Sequence, residues 1–568
     1  MGARTGARCG QPRRTPRFGR ALTSLLTLAT VVFSGGVAHA VEPWSDADPA
    51  APPSRMPLGG SVGFRGGAEY RANIVAVRPV DLSGTRDRNF STLEHRLRLD
   101  AGLDWEDKIR INTSVDVLDG VLWGDNGSLG SQPEPTSGAA VSTTNTNFAV
   151  SCMQLRPGET PTSSESYHFG LCPTDPVFVR RLYGDIITPV GLFRVGRQAF
   201  TEGASLAIND GDGRRNRFGF ARRGNSADRI LFATKPLEAF KPKDQRDTTE
   251  TKGLFFITAY DRLVTGQAQQ FYDDQHGWIT ALRWLQPKHA LGSDAEVRVY
   301  HAYRWSSKND TGVHAFGGRA MSKFGDLSVG VESTVIAGHT REVSEAFRVI
   351  TNDPVTDQRI TQFGARGVVR YDKPMFTLYF ETDYASGDSD PQNRTPLTQF
   401  RFAEDTNVGL LLFKHVLAYQ SARAAASGVE LLRSLNAPSY PVDAVSTRGS
   451  FANAFAIFPQ VDFRPLGENL LFRGGVLMAW APAKVVDPLV SQQRKDGTAI
   501  EDDLVNFEGG KPNRYYGTEL DLRISWRFMD HFVADLEGAI LFPGSALQDA
   551  NGDAARSGMV QGRTTFFF

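Results

Sequence analysis

The chain has 568 residues, 63 of them basic and 63 acidic, with 56 glycines, 37 phenylalanines and a negative mean hydropathy. Six of the basic residues lie in the first forty, which hold no acid, so the remainder carries 57 against 63, a net charge of −6. That balance excludes the basic domain a general nucleic-acid partner needs. No stretch beyond residue 40 reaches roughly 18 consecutive apolar residues, so no helical membrane span is expected.

The first forty residues read as a targeting segment. Arg4, Arg8, Arg13, Arg14, Arg17 and Arg20 form a basic region. An apolar run from Ala21 to Phe33 follows, then the small-residue site Ala38-His39-Ala40. This is the layout of a secretory signal peptide cleaved after Ala40. Residues 41–59, rich in Pro and Asp, are expected to be a disordered leader. From residue 60 to residue 568 a single domain is expected.

The dominant pattern of that domain has period 2. From Leu93 to Trp105 one parity reads Leu93, His95, Leu97, Leu99, Ala101, Leu103, Trp105; the other reads Glu94, Arg96, Arg98, Asp100, Gly102, Asp104. Leu520, Leu522, Ile524, Trp526 and Phe528 likewise alternate with Glu519, Asp521, Arg523, Ser525 and Arg527. Successive strand side chains point to opposite faces, so these ribbons have one apolar and one charged face. They run longer than soluble strands, which cluster near 5–6 residues, and match the roughly 9–11 a tilted membrane strand needs. Aromatics stand near the ends of the apolar faces (Trp105, Tyr303, Tyr384, Trp480, Trp526, Phe542), where girdles belong. The expected fold is therefore an all-β, antiparallel transmembrane barrel with an outer-membrane location.

Nineteen segments qualify as strands: 61–77, 93–107, 109–124, 176–190, 192–200, 228–236, 252–264, 277–286, 295–306, 312–324, 326–339, 360–372, 375–386, 406–418, 451–464, 470–481, 516–529, 531–543 and 559–568. Single-chain bacterial barrels normally have an even number. The odd segment out is 406–418, which leaves about eighteen, a size that encloses an aqueous channel. Long insertions at 125–175, 201–227, 340–359, 387–405 and 482–514 are expected outside the cell or folded into the pore. Residues 422–435 read as a helix able to plug the pore or to cap a loop. The ending Arg563-Thr564-Thr565-Phe566-Phe567-Phe568 is an alternating strand with a terminal Phe, similar to the assembly signal read by barrel-insertion machinery.

Cys152 and Cys172 are the two cysteines outside the leader. In an oxidising compartment they are expected to form a disulfide closing one long loop, with two free thiols as the alternative. The strongest basic cluster is Arg214, Arg215, Arg217, Arg222 and Arg223, preceded by Arg180, Arg181, Arg194 and Arg197. Guanidinium groups bind carboxylate and phosphate in a bidentate manner, so a ring of them would select anions. The competing reading is a solvated loop paired with Asp210, Asp212 and Asp228, or one touching lipopolysaccharide. Strict alternation from Phe193 and Val195 puts Arg197 on the lipid side unless Gly196 bulges. Asn209-Asp210-Gly211-Asp212-Gly213 has the oxygen content of a calcium loop but lacks a bidentate Glu at the right spacing, so a plain turn is favoured. No Ser/His/Asp arrangement, phosphate loop or metal-ligand spacing occurs, so neither an enzyme nor a cofactor is expected.

Val195-Gly196-Arg197-Gln198, Gly203, Asn209 to Arg215 and the strand from Asp228 resemble the alginate-export outer-membrane porin family, as do Phe380 to Asp388, Tyr516 to Leu522 and Phe542-Pro543-Gly544. The similarity covers residues 180–390 and 515–545, and the helix at 422–435 resembles an insertion of a delta-proteobacterial-type branch. It implies an eighteen-stranded barrel with an arginine-rich lumen and, in the best-known member, polyuronate export. This chain departs from that pattern. Glu94, Asp100, Asp104, Asp116, Glu296, Glu381, Asp383, Glu519, Asp521, Asp535 and Glu537 face inward beside Arg96, Arg98, Arg110, Arg298, Arg523 and Arg527. The expected function is a passive channel for polar, anionic solutes or a secreted polysaccharide, with a nutrient-uptake porin or a closed structural barrel as alternatives. Its expected partners are outer-membrane lipid and lipopolysaccharide, the assembly machinery and the solute, with no nucleic acid.

Overall fold

A computed structural model describes residues 56–59, 61–82, 89–106, 108–124, 177–199, 206–207, 216–219, 226–247, 249, 251–265, 276–307, 310–403, 406–421, 447, 449–487, 490–491, 510–529 and 531–568. The signal segment, Cys152, Cys172, the 209–213 turn and the 422–435 helix lie outside the described residues.

The alternating ribbons all become strands. In chain order they are β1 (Met56–Gly59), β2 (Val62–Arg78), β3 (Phe90–Trp105), β4 (Ile109–Gly124), β5 (Val177–Thr188), β6 (Gly191–Ala199), β7 (Ser226–Thr234), β8 (Gly253–Thr265), β9 (His276–His289) and β10 (Gly292–Ser306). They continue with β11 (Thr311–Phe324), β12 (Leu327–Thr340), β13 (Gln358–Asp372), β14 (Phe376–Ala385), β15 (Ala454–Phe463), β16 (Leu470–Trp480), β17 (Tyr515–Phe528), β18 (Phe532–Pro543) and β19 (Ser557–Phe567). Each strand from β2 onward pairs antiparallel with the next. β19 returns to β2 through Gly558↔Arg78, Arg563↔Asn73 and Phe566↔Tyr70. Phe568 adds a further bond, donating its N–H to the Ala68 carbonyl at 2.8 Å. Eighteen strands thus close on themselves, and no edge is left for the hydrocarbon to solvate.

One expectation changes, and the segment set aside as the odd one out is explained. Met56–Gly59, assigned to the disordered leader, forms β1 and pairs with the start of β2 through Met56↔Phe64. Segment 406–418 is not a strand. Its Leu410-Leu411-Leu412-Phe413 run is buried on every side and winds into a wide helical turn over Leu412–Leu417. The Val416 N–H reaches the Leu411 carbonyl there. A short run that is apolar throughout does not reveal its period, which is why it imitated a strand.

The faces are sorted as the alternation requires. Leu99, Leu103, Leu182, Val299, Leu522, Leu536 and Ile540 are exposed on the outside, while Arg98, Asp104, Asp116, Arg319, Asp383, Glu519 and Arg523 are buried inside. Aromatic rings gather at both ends of the outer face. Trp526, Phe528, Phe532 and Phe566 contact one another at the short-turn end, and Phe455, Trp480 and Tyr515 at the other. A closed barrel with an apolar, aromatic-rimmed outer wall and a charged interior is the form in which strands cross the bacterial outer membrane. The protein is an outer-membrane barrel.

The interior is not simply a water-filled bore. Phe400, Phe402, Phe413 and Phe451, brought in by the long connection between β14 and β15, are at most 2% exposed. They pack with Leu206 and Phe218 from the β6–β7 connection and with inward Val75, Ala456, Phe458, Leu477 and Leu541 of the wall. Burying each such large side chain contributes about 1.5–3 kcal/mol. An apolar core therefore fills part of the lumen toward the long-loop end.

Candidate functional site in the barrel lumen

Charged groups of the wall hold this luminal core in place. Glu519 on β17, 0% exposed, accepts the backbone N–H groups of Leu410, Leu411 and Leu412 at 2.7, 2.8 and 2.6 Å. One carboxylate thereby satisfies three donors at the entry to the luminal turn. Gly409 precedes it with φ +72°, and a Cβ there would stand 2.7 Å from Leu477 and 2.9 Å from Glu519, so only glycine fits. Glu332 accepts the Leu206 N–H at 2.8 Å and Glu537 the Gly219 N–H at 2.8 Å. Arg523 donates to the carbonyls of Asn216 and Arg217 at 3.1 and 2.9 Å. Inward charges expected to meet water instead bind the backbone of inward-folded connections.

Among the arginines singled out from the sequence, Arg217 lies at the centre of this arrangement. Its guanidinium donates to Gln460 at 2.8 Å and Asp462 at 2.9 Å and lies 3.8 Å above the Tyr379 ring. Arg180 and Arg181 both face inward, because a bulge on β5 places Arg181 opposite Ser114 and Val179 opposite Val115. Arg180 approaches Asp116 at 3.7 Å. Arg194 forms a two-pronged contact with Asp185, at 2.7 and 3.1 Å, and covers Tyr183 at 4.3 Å. Arg197 corrects the sequence reading. It stands on the outer face, its guanidinium on Asp228 at 3.0 and 3.3 Å, beside the exposed Leu182. Gly196 takes φ +128° without shifting the register, so alternation continues and the residue never turns inward. Arg214, Arg215, Arg222 and Arg223 lie outside the described residues.

Several inward arginines escaped the sequence reading: Arg71, Arg229, Arg283, Arg319, Arg366, Arg473 and Arg563. Six of them stand directly across from an inward charge recognised in the sequence: Arg71 from Arg96, Arg283 and Arg319 from Arg298, Arg366 from Asp383, Arg473 from Arg523 and Arg563 from Asp535. Their ion pairs are unevenly shared. Glu69 serves Arg96 at 2.6 Å and Arg71 at 3.0 Å; Asp116 serves Arg98 at 2.6 Å as well as Arg180. Glu296 gathers Arg283, Arg298 and Arg319 at 2.9, 3.1 and 3.4 Å. Arg366 shows the opposite ratio, with Asp383 at 2.6 Å and Glu381 at 2.9 Å. On β9–β11, then, three guanidinium groups share one carboxylate, which lends that stretch of wall a positive field.

No family model matches the chain and no curated protein does, so the resemblance to alginate-export porins finds no match at that level. Solved structures of similar architecture include OccK9 (OpdG) of Pseudomonas aeruginosa, 8% identical with a TM-score of 0.44, covering 89% of this chain and 98% of that one. The outer membrane protein OpdK of the same organism is 7% identical with a TM-score of 0.44, covering 89% and 98%. OccAB4 of Acinetobacter baumannii is 8% identical with a TM-score of 0.43, again covering 89% and 98%. At that identity none of them assigns a solute to this chain.

Proposed function

We propose that this barrel is a passive outer-membrane channel that takes up small polar solutes carrying negative charge. The observation supporting it is the shared use of carboxylates on the inner wall, above all the three guanidinium groups around Glu296. A lumen with local cationic surplus lowers the barrier for anions and raises it for cations. The luminal core narrows the bore, which favours small solutes over an extended polysaccharide. Uptake therefore fits better than the polymer export implied by the alginate-export resemblance.

Conductance in planar bilayers under a salt gradient tests the reading. The reversal potential is expected on the anion-selective side, and replacing Arg283 and Arg298 together by Ala should reduce the anion-to-cation permeability ratio several-fold. A cation-selective pore, or a ratio indifferent to both replacements, would sink it. The same apolar core supports a second reading, a closed barrel whose loops do the work; silence in the bilayer at every voltage would favour that one.

A further inference from the structure

The short-turn end of the barrel carries a feature that passage of a solute does not use. Most joins there are two or three residues long, but the one between β7 and β8 takes residues 235–252. It is built rather than slack. A short helical turn spans Pro236–Ala239. The Arg246 guanidinium donates to the carbonyls of Ala239, Lys241 and Pro189 at 3.0, 2.9 and 2.8 Å. The Asp247 N–H donates to Glu238 at 2.9 Å, and Lys235 Nζ to the Thr249 carbonyl at 2.9 Å. Pro189 belongs to the β5–β6 turn, so the connection is tied sideways along the rim. What this scaffold displays is apolar: Leu237 is 65% exposed and Phe240 91%.

Two observations identify what covers this surface. The first is continuity with the lipid-facing wall. On the strands beside the connection, outward Phe193 and Phe232 meet at 4.7 Å, and exposed Ile230 takes the next outward position. At the rim the Thr234 hydroxyl donates to the Val190 carbonyl at 2.5 Å. Exposed Val190, Leu237 and Phe240 extend the apolar band past the ends of the strands. Leu291, Leu466 and Met529, in three other short turns, are also more than half exposed. The second observation is the placement of lysine. Eight of the thirteen lysines lie within 235–252 or within two residues of the β3–β4, β9–β10, β11–β12 and β13–β14 turns; the other five belong to long-loop connections. Lys241 and Lys252 meet Glu238 and Asp247 at 2.8 Å, yet each keeps about half of its side chain exposed. Apolar tips beside ammonium groups match the level of a bilayer where acyl chains give way to phosphates.

We infer that the β7–β8 connection is a foot seated in the inner leaflet of the outer membrane, with Phe240 and Leu237 among the acyl chains and the lysines at the phospholipid phosphates. The short turns of bacterial barrels lie on the periplasmic side, which fixes the leaflet, and phospholipid is the occupant.

The test places a nitroxide on Phe240→Cys or on Gln245→Cys, an exposed polar position of the same connection, each in a chain whose other cysteines are serine. The full barrel is reconstituted in vesicles of phosphatidylethanolamine and phosphatidylglycerol. Oxygen, which concentrates in hydrocarbon, is compared with a water-soluble nickel chelate as a relaxing agent of the label. The oxygen-to-nickel accessibility ratio is expected to be several-fold higher at 240 than at 245. Equal ratios, with the chelate reaching both labels, overturn the inference and leave the surface to a soluble periplasmic partner. Should Phe240→Cys lose the heat-modifiable gel migration of a folded barrel, Leu237→Cys decides it by the same criterion. Conductance plays no part in this readout, so its outcome is independent of the proposed channel activity.

Discussion

Glu519 illustrates what a buried charge does inside this barrel. Its two oxygens answer three successive backbone N–H groups. Leaving buried donors unsatisfied costs about 1–3 kcal/mol each, so Glu519→Ala should loosen the luminal turn by about 3 kcal/mol or more. Hydrogen exchange at the amides of Leu410, Leu411 and Leu412 would report this as a loss of protection of about a hundredfold, with the strands of the wall unchanged. Arg197 and Arg298 provide a contrast at the same scale. One faces lipid beside Asp228, the other faces the lumen beside Glu296. Arg197→Ala is expected to leave the reversal potential where it was, whereas Arg298→Ala should move it toward cation selectivity.

Among elements, the luminal turn Leu412–Leu417 holds a titratable group in an apolar setting. Burial, reinforced by the neighbouring Lys414, pushes the His415 imidazole down to about 3. An unfolded histidine titrates near 6.5, so the loosened segment binds the proton more readily than the packed one. Stability of the turn is therefore complete above about pH 6.5 and is lost progressively as pH falls toward 3, at about 1.4 kcal/mol per unit. Protease accessibility of residues 406–421 should rise between pH 6.5 and 4.5. In His415→Leu, which keeps the volume and removes the titration, that rise should disappear.

At the level of the whole molecule, wall and core are separable. Ala385 and Ala454, the residues that bracket the long β14–β15 connection, are register partners, so the wall closes across that point without it. Replacing residues 387–452 by a two-residue turn such as Asn-Gly, which favours hairpins, should preserve the heat-modifiable barrel. The same deletion removes Phe400, Phe402, Phe413 and Phe451 from the lumen, and single-channel conductance is expected to increase several-fold. An unchanged conductance would mean that the constriction lies elsewhere.

Alternation along the chain was enough to establish the barrel, the eighteen wall strands and the inward or outward assignment of residues such as Asp116, Arg298 and Leu536, because a strand's two faces meet different solvents and its period is fixed by backbone geometry. It also placed Arg197 outward, against the functional expectation attached to that residue. What it did not reveal was the luminal core. Leu410, Phe413 and Phe451 look like any apolar residues of a strand or loop, and their burial inside a charged wall depends on Glu519, Phe458 and Leu477, which lie far along the chain.

 The Leu410 N–H, for instance, finds its acceptor 109 residues further along the chain. Local periodicity encodes which solvent each face of a strand meets; only the closed fold brings distant connections back into the lumen and decides which inward charges face a passing solute and which are consumed in holding the core.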